Sequence, residues 1–405
     1  MAAIFAARAG AETLLLERTA DGGKKILISG GGRCNVLPMR LDESRFVTAS
    51  SPNVLRKMVR SWPLPEQVAF FEGELGIPLV EEVESSKRFP ASHRARDVRD
   101  GLLAHAASLG AKLVANTTVT GVAPDAAKWR VERERGDAIV ADAVIIATGG
   151  LSVPNTGSDG FGLRLLARLG HEMHPSYPAL TPITAGDADF AGLSGISLPV
   201  TLTARDAARS ATASGGFLFT HRGYSGPAVL DVSHVVARSR LESDGGARLD
   251  VCWTALSADE WTAAFRPQGT RTVAGAMRQY LPERLAAVLS TKASVDPVRS
   301  LADLRRDERQ RLVAMLTRGE LPWTGDEGYK KAEVTGGGVA LGEVDPRTME
   351  SRRHRGLFIC GEVLDAFGPI GGYNFLWAWA TGRAAGIGAA AASDADACAA
   401  SAANG

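Results

Sequence analysis

The sequence predicts an α/β protein in which the two ends of the chain build one discontinuous domain. The run 143–147 is apolar on both faces, as a central parallel strand is. Glycine-dense segments lie near both ends, and the hydrophobic period between them changes first to two and then to a helical spacing. We therefore expect an α/β domain over 1–180 and 332–405, a β-rich insertion over 181–255 and 320–331, and a helical insertion over 256–319.

Composition excludes several classes of protein. A length of 405 residues is enough for two or three globular domains. A hydrophobic fraction of 45% is too high for a disordered chain. The 46 basic and 45 acidic residues leave a net charge of +1, so no global field attracts nucleic acid. No apolar run reaches the roughly 18 residues of a membrane span, and the four cysteines lack metal-ligand spacing. We expect a cytoplasmic protein without a metal, a membrane partner or a DNA partner; oligomeric state does not follow.

The amino-terminal elements follow from local patterns. Ala2–Ala9 is rich in helix formers, and 13–17 is a short apolar strand ending in Glu17. In a dinucleotide-binding βαβ unit, an acid about 20 residues after a glycine loop binds a ribose hydroxyl. That spacing applies here only if the glycine loop lies immediately before Met1, and the alternative is a solvated strand end. Further elements are expected as a polar loop over 21–35, helices near 53–61, 65–75 and 94–109, and strands within 111–122 and 128–141.

The loop over 21–35 contains the run Gly30-Gly31-Gly32. Consecutive glycines let backbone N–H groups approach an anion or a planar ring without hindrance from a Cβ. Lys24 and Arg33 would then neutralise a pyrophosphate or hold a substrate anion. The alternative is a surface turn with an ordinary salt-bridging arginine. The position of this loop soon after Glu17 favours binding.

Thr148 and Gly149 follow the buried strand 143–147. They lie at its carboxyl end, which is where open α/β sheets bind ligands. The alternative is a tight turn of the kind that any α/β protein contains.

The middle of the chain changes character. Leu198, Val200 and Leu202 alternate with small or polar neighbours, which predicts an antiparallel, half-exposed sheet. Ser257-Ala-Asp-Glu260 matches a capping box and predicts the start of the helical insertion.

The carboxyl-terminal segment contains the most informative pattern. An apolar strand ends at Gly361-Glu362, and Gly371-Gly372-Tyr373-Asn374 then opens a helix of small residues. A helix N-terminus directed at a flavin pyrimidine stabilises the negative charge that reduction places there. Glu362 would accept a hydrogen bond from a ribityl or ribose hydroxyl. The alternative is that the small residues only let the helix pack tightly on a sheet, and both explanations can hold together.

The sequence identifies no clear proton donor. Arg33, His221 and Tyr224 are the candidates for a catalytic role. A lone histidine is more often structural, and no Ser-His-Asp or metal-ligand spacing surrounds His221.

Five motifs together carry a resemblance to a known family. They are KKILISGGGRCN (24–35), ATGG with PNTGSDGFG (147–162), GFLFTHRGYSGPAVLDVS (216–233), AEVTGGGV (332–339) and ICGEVLDAFGPIGGYNFLWAWATG (359–382). In this order they resemble the BaiN/RdsA-type NAD(P)/FAD-dependent oxidoreductases, which are glutathione-reductase-like flavoproteins with two dinucleotide folds. The resemblance implies a Rossmann-like FAD-binding domain interrupted by barrel-like and helical domains. It also implies that NAD(P)H reduces the flavin.

The resemblance assigns cofactor contacts by motif. Glu17 would bind the adenosine ribose, and Thr148 and Gly149 would line the adenosine–pyrophosphate side. The remaining contacts would come from the Ser29–Gly32 loop (Ser29, Gly30, Gly31, Gly32) with Lys24, from Gly361 and Glu362 near the ribityl or pyrophosphate region, and from Gly371, Gly372 and Asn374 at the isoalloxazine edge.

This chain departs from the family at its start. Relatives have a strand and a glycine loop directly before a segment like Met1–Gly10, which leads us to expect an internal methionine assigned as the start or a truncated gene. Three functions follow: reduction of an activated C=C bond in a small molecule with NAD(P)H, flavin-dependent conversion of uridine to dihydrouridine in ribosomal RNA, or a cofactor-free remnant without activity. Basic clusters at 87–88, 93–99 and 352–355 motivate the second, although solvated surface charge also explains them.

Overall fold

A computed structural model of the chain describes residues 1–242, 246–267 and 269–403. The chain forms two compact units. The first combines Met1–Ser176 with Val334–Gly405, and the second is Tyr177–Glu333.

The amino-terminal part of the first unit alternates helices with short strands. Its elements are α1 (Ala2–Arg8), β1 (Leu14–Leu16), α2 (Lys24–Ile28), β2 (Leu37–Pro38), α3 (Pro52–Arg60), α4 (Leu64–Ala69), β3 (Leu79–Glu82), β4 (Lys87–Pro90), α5 (Ala95–Ser108), β5 (Lys112–Val114), β6 (Val119–Asp125), β7 (Lys128–Arg133), β8 (Ile139–Ala141), β9 (Val144–Ile146), α6 (Phe161–Arg168) and β10 (Met173–Ala179). The last three residues of β10 belong to the second unit.

The second unit contains a seven-stranded sheet covered by helices. Its elements are β11 (Ile183–Thr184), α7 (Ala188–Ala191), β12 (Ser197–Arg205), β13 (Ser210–Thr220), β14 (Gly223–Ser225), α8 (Pro227–Leu241), β15 (Arg248–Cys252), α9 (Ala258–Ala264), α10 (Val273–Met277), α11 (Glu283–Lys292), α12 (Arg306–Arg318), β16 (Gly319–Glu320) and β17 (Gly325–Asp326). The strand order is β16-β15-β12-β13-β14-β11-β17.

The predicted local patterns of the second unit are confirmed. In β12, Leu198, Val200 and Leu202 are buried while the residues between them are half-buried or exposed. Ser257 and Glu260 form the capping box that begins α9. Strands and helices contribute to one hydrophobic core, because Leu202 of β12 and Trp261 of α9 belong to the same buried cluster.

The chain returns to the first unit through β18 (Val334–Val339), β19 (Leu357–Ile359) and α13 (Tyr373–Ala403). β1 pairs in parallel with β5, β9 pairs in parallel with β19, and β18 pairs with β10. Two small antiparallel sheets, β2-β4-β3 and β6-β7-β8, complete the unit. Among the described residues, no strand joins the β1–β5 pair to the β9–β19 pair.

Small residues on α13 allow its backbone to approach other backbone closely. A Cβ at Gly386 would lie 2.3 Å from the carbonyl oxygen of Ala2 in α1, and one at Gly388 would lie 2.6 Å from the carbonyl oxygen of Thr348. Both distances are shorter than a real contact allows. The small residues therefore do allow close packing, but their close backbone partners are α1 and the Thr348 segment and not the strands of a sheet.

The prediction that 21–35 is entirely a loop is wrong. Lys24–Ile28 forms the one-and-a-half-turn helix α2, and Ser29–Gly32 forms a tight turn after it. The residue before α2 is Gly23, with φ of 78°, and it offers no side-chain cap. A five-residue helix without a polar cap residue leaves almost no periodic signal.

Candidate functional site

Three segments of the first unit meet through one chain of hydrogen bonds. The ammonium group of Lys25 in α2 donates to the hydroxyl of Ser152 at 2.6 Å. That hydroxyl donates to Oε1 of Glu362, also at 2.6 Å. Ser152 lies six residues after the end of β9 and Glu362 three residues after the end of β19, so the contact joins the segments that follow two paired parallel strands. Ligands bind at the carboxyl ends of the strands in open α/β sheets.

A fourth segment braces this contact. The backbone N–H of Thr335 in β18 donates to Oε1 of Glu362 at 3.0 Å. The Thr335 hydroxyl accepts the N–H groups of Leu151 and Ser152 at 2.7 and 3.1 Å. Ser152 and Thr335 are completely buried, so their hydrogen bonds hold the segments in one arrangement.

The turn at 29–32 and the turn at 371–372 both contact the ribbon formed by β2 and β4. A Cβ at Gly30 would lie 3.3 Å from the ring of Phe89, and one at Gly371 would lie 3.6 Å from Cγ of Lys87. A Cβ at Gly372 would lie only 2.4 Å from the carbonyl carbon of Leu37. The two glycine turns, far apart in sequence, therefore share one neighbouring element.

Helix α13 fixes the backbone of Gly361. The Gly361 N–H donates to the hydroxyl of Thr381 at 3.0 Å, and its carbonyl accepts from the Trp377 indole at 3.0 Å. Gly361 has φ of 78°, and a Cβ placed there would meet no described atom within 4 Å. The peptide therefore lines open space at a strand end, where a ligand can approach the backbone.

The Asn374 side chain is committed to its own turn. Its amide oxygen accepts the N–H of Gly368 at 2.9 Å, and its amide nitrogen donates to the carbonyl of Gly368 at 3.0 Å. Asn374 therefore closes the 368–374 turn, and its predicted contact with a cofactor edge stays a prediction.

Glu17 and Thr148 lie at the ends of β1 and β9. Oε1 of Glu17 accepts the N–H and the hydroxyl of Thr19 at 2.8 and 2.7 Å. The Thr148 side chain is exposed beside Gly149. The segments after the two strands are joined by an ion pair of 2.6 Å between Arg18 and Asp159. The loop that follows β1 is therefore in contact with the segment that leads into α6.

Lys24 and Lys25, although adjacent, point to different places. The pKa of Asp21 is lowered by a hydrogen bond from Arg99, and the Lys24 charge adds to this effect. Adjacent residues of a helix point about 100° apart, so Lys25, which contacts Ser152, and Lys24 face different directions. The predicted site residues did not include Lys25, Ser152 or Thr335. Lys25 lies next to the predicted Lys24 in the motif KKILISGGGRCN, and that position was the available signal for it.

Two of the three catalytic candidates, Arg33 and Tyr224, have structural partners, and His221 and Tyr224 belong to the second unit. Arg33 pairs with Glu82 at 3.0 Å and covers the Phe89 ring, with its guanidinium carbon 4.2 Å from the ring centre. His221 and Tyr224 belong to the second unit, where His221 is exposed. Tyr224 is buried, its hydroxyl donates to the carbonyl of Pro322 at 3.0 Å, and burial raises its pKa. The identity of the proton donor is thus still a prediction.

The two cysteines nearest the site are packing residues. Burial raises the pKa of Cys34 to about 11 and that of Cys360 to about 12. Both thiols are therefore protonated at neutral pH, and neither supplies a thiolate nucleophile.

A buried carboxylate anchors the loop opposite the Gly368 turn. Oδ2 of Asp365 accepts four hydrogen bonds of 2.9 Å, from the Ala49 and Ser50 N–H groups and from the Thr48 and Ser50 hydroxyls. The Ser50 hydroxyl also lies 3.2 Å from Nε2 of His174. The loop that precedes α3 is therefore tied to the segment that leads into α13.

Flavin binding can be tested against these features. Gly361 leaves room beside its peptide, and Oε2 of Glu362 makes no hydrogen bond within the described part of the chain. A carboxylate oxygen without a partner beside an accessible peptide suits a polyol chain, which presents hydroxyl donors. The residues present therefore fit the ribityl part of a flavin.

Among the described residues, no helix is both long and apolar enough to cross a membrane.

Comparisons with known proteins give the family. Residues 1–388 match the model described as "HI0933-like protein Rossmann domain". The chain is 29% identical over 384 residues to a ribosomal RNA dihydrouridine synthase of Escherichia coli, covering 92% of this chain and 91% of that protein. It is 30% identical over 386 residues to a 3-dehydro-bile acid delta(4,6)-reductase of Clostridium scindens, covering 93% of each.

A solved structure shows the same fold. The 3-ketosteroid delta1-dehydrogenase of Sterolibacterium denitrificans has a TM-score of 0.51 at 12% identity, with 96% of this chain and 97% of that one covered. The predicted α/β fold class and the family resemblance are confirmed. The chain belongs to the HI0933-like Rossmann-domain family and is an oxidoreductase of the flavin type.

Proposed function

We propose that this chain binds FAD and reduces a C=C bond conjugated to a carbonyl group in a small molecule, with NAD(P)H as the hydride source. The observation that carries the proposal is the meeting of Lys25 with Ser152 and Glu362, in the segments that follow β9 and β19, beside the open peptide of Gly361. When bound, FAD supplies two-electron chemistry, taking hydride from NAD(P)H and passing it to the double bond.

The protein residues would then bind and orient the cofactor. Glu362 would accept a hydrogen bond from a ribityl hydroxyl through its Oε2, and Glu17 would bind the adenosine ribose. Gly371 and Gly372, at the start of α13, would lie against the flavin ring. The N-terminus of a long helix stabilises negative charge placed near it. α13 begins at Tyr373 and would stabilise the reduced ring in this way.

The named relatives support the choice of bond. One has the name of a reductase of delta(4,6) double bonds in a 3-dehydro bile acid, and another has the name of a synthase of dihydrouridine in ribosomal RNA. In a 3-oxo-4,6-diene and in uracil alike, the double bond is conjugated to a carbonyl. Hydride therefore adds at the far carbon, and a proton completes the reduction.

Uridine in ribosomal RNA is the second candidate substrate, because the Escherichia coli relative bears that name. Part of the basic surface that motivates this candidate is neutralised within the chain. Within the predicted basic clusters, Arg88 pairs with Glu81, Arg99 with Asp21 and Asp100, and Arg353 with Glu343. Cations neutralised by nearby carboxylates add little to phosphate binding.

The test uses the purified chain loaded with FAD under anaerobic conditions. NADH and NADPH are offered separately, and the substrate is either a 3-oxo-4,6-diene steroid acid or ribosomal RNA free of dihydrouridine. We expect the flavin absorbance to bleach on addition of one nicotinamide and to return with the steroid. Turnover with RNA alone would establish the second candidate instead, and a chain that binds no FAD would refute both.

The Gly361→Ala variant tests the site. Alanine at φ of 78° costs about 1 kcal/mol of stability and places a methyl group in the space assigned to the cofactor. Gly170→Ala is the matched control, because Gly170 has φ of 85° and equally open surroundings at the end of α6. We expect similar loss of stability in both variants and loss of FAD affinity only in Gly361→Ala. Equal FAD affinity in the two variants would argue against this site.

A further inference from the structure

The hydrogen bonds around Ser152 have only one consistent direction. A lysine ammonium group can only donate, so the Ser152 hydroxyl oxygen must accept from Lys25. The single hydroxyl hydrogen of Ser152 is then available for Oε1 of Glu362. The result is an ordered relay from a cation through a buried hydroxyl to a carboxylate, in which each hydrogen bond polarises the next.

We propose that Lys25 and Ser152 are positioning residues, which hold the Glu362 side chain so that its Oε2 is directed at a ribityl hydroxyl of FAD. This inference rests on the proposed function. Oε1 is occupied by Ser152 and by the Thr335 N–H, so the carboxylate is fixed at one oxygen and available at the other. Burial of Ser152 and Thr335 shields the relay from water, which strengthens its hydrogen bonds.

The ribityl chain, rather than the adenosine ribose, is the partner of Glu362. Glu17 at the end of β1 is already the acid predicted for the adenosine ribose, and it lies on the other strand pair. Glu362 lies on the β9–β19 pair, and α13 holds its neighbour Gly361 through Thr381 and Trp377. The same helix begins at the 371–372 turn, where the flavin ring is placed by the proposed function.

Binding measurements distinguish this relay from a general structural role. FAD and ADP are titrated separately into the protein without flavin, because ADP shares the adenosine and pyrophosphate of FAD but has no ribityl chain. We expect Lys25→Met to weaken FAD binding by about 10- to 100-fold, as loss of a charge-assisted hydrogen bond does. ADP affinity should stay within about twofold of wild type.

A second variant tests the connection through Ser152. Ser152→Ala should weaken FAD binding to a similar extent, and the double variant Lys25→Met/Ser152→Ala should be little worse than either single variant, because both changes break one relay. Lys57→Met, which removes an exposed lysine of α3, is the charge control and should bind FAD as wild type does. Lys25→Arg should restore most of the affinity.

The outcomes separate the two proposals. A wild-type chain that binds no FAD refutes the proposed function and this inference together. Wild-type binding with unchanged affinity in Lys25→Met refutes the relay alone. The relay would also be refuted by an equal loss of FAD and ADP affinity, or by additive effects of Lys25→Met and Ser152→Ala. A loss of FAD affinity in Lys24→Met but not in Lys25→Met would refute it as well. If Lys25→Met fails to fold, Ser152→Ala and Lys25→Arg supply the same comparison.

Discussion

Replacement of Asp365 should release the loop that precedes α3. Its Oδ2 accepts four hydrogen bonds of 2.9 Å, and the residue is only 2% exposed. In Asp365→Ala these donors lose a charged acceptor, and each buried donor left unpaired costs about 1–3 kcal/mol. Because loop residues 48–50 regain water in part, we expect a net loss of about 3–5 kcal/mol. Asp365→Asn keeps one oxygen acceptor without the charge and should lose about 1–2 kcal/mol.

Hydrogen exchange measures this effect locally. In the wild type the amides of Ala49 and Ser50 should be protected, and in Asp365→Ala they should exchange much faster, with an intermediate rate in Asp365→Asn. Denaturant unfolding followed by tryptophan fluorescence gives the total loss of stability. Asp42→Ala is the control, because Asp42 also accepts two hydrogen bonds from Ser44 but does so at the surface. Equal effects of Asp365→Ala and Asp42→Ala, or no change in loop exchange, would refute the reasoning.

Two further predictions concern stability. Burial, with the charges of Arg238 and Arg209, lowers the pKa of His234 to about 4 from 6.5, so acid favours the unfolded state. The second unit should lose up to about 3 kcal/mol as pH falls from 6.5 through 4, and denaturant titration at several pH values should find this loss absent in His234→Leu. In Gly386→Ala the new methyl group would meet the carbonyl of Ala2, so the denaturant midpoint should fall by the equivalent of about 1–3 kcal/mol. Gly382→Ala, whose methyl group would lie 3.3 Å from a side-chain atom, should be neutral or stabilising, and equal effects of the two would contradict this packing.

Elements with strong local signals were predictable from sequence. The strand that ends at Glu17, the strand 144–146 and the alternation in β12 are confirmed, because apolar periodicity reflects burial directly. The capping box at Ser257 is confirmed because its two hydrogen bonds are local to four residues. These features need no information about distant parts of the chain.

The site was less predictable, since it depends on helix register and on long-range contacts. Adjacent residues on a helix point about 100° apart, so the choice between Lys24 and Lys25 is made only once α2 exists and has an orientation. The short helix left no signal, and the contact between Lys25 and Ser152 was not predicted. Likewise, Ser152 and Thr335 are 183 residues apart in sequence and meet only in the folded chain.

The pairing of β10 with β18 determines how readily the segment between these strands can be replaced. The chain leaves the first unit along β10 and returns along β18. The two ends of the 157-residue segment that forms the second unit therefore lie side by side. Insertions whose ends lie side by side can lengthen, shrink or be exchanged wholesale without disturbing the host fold. A chimaera that carries the corresponding segment of another homologue between Ser176 and Val334 should accordingly fold.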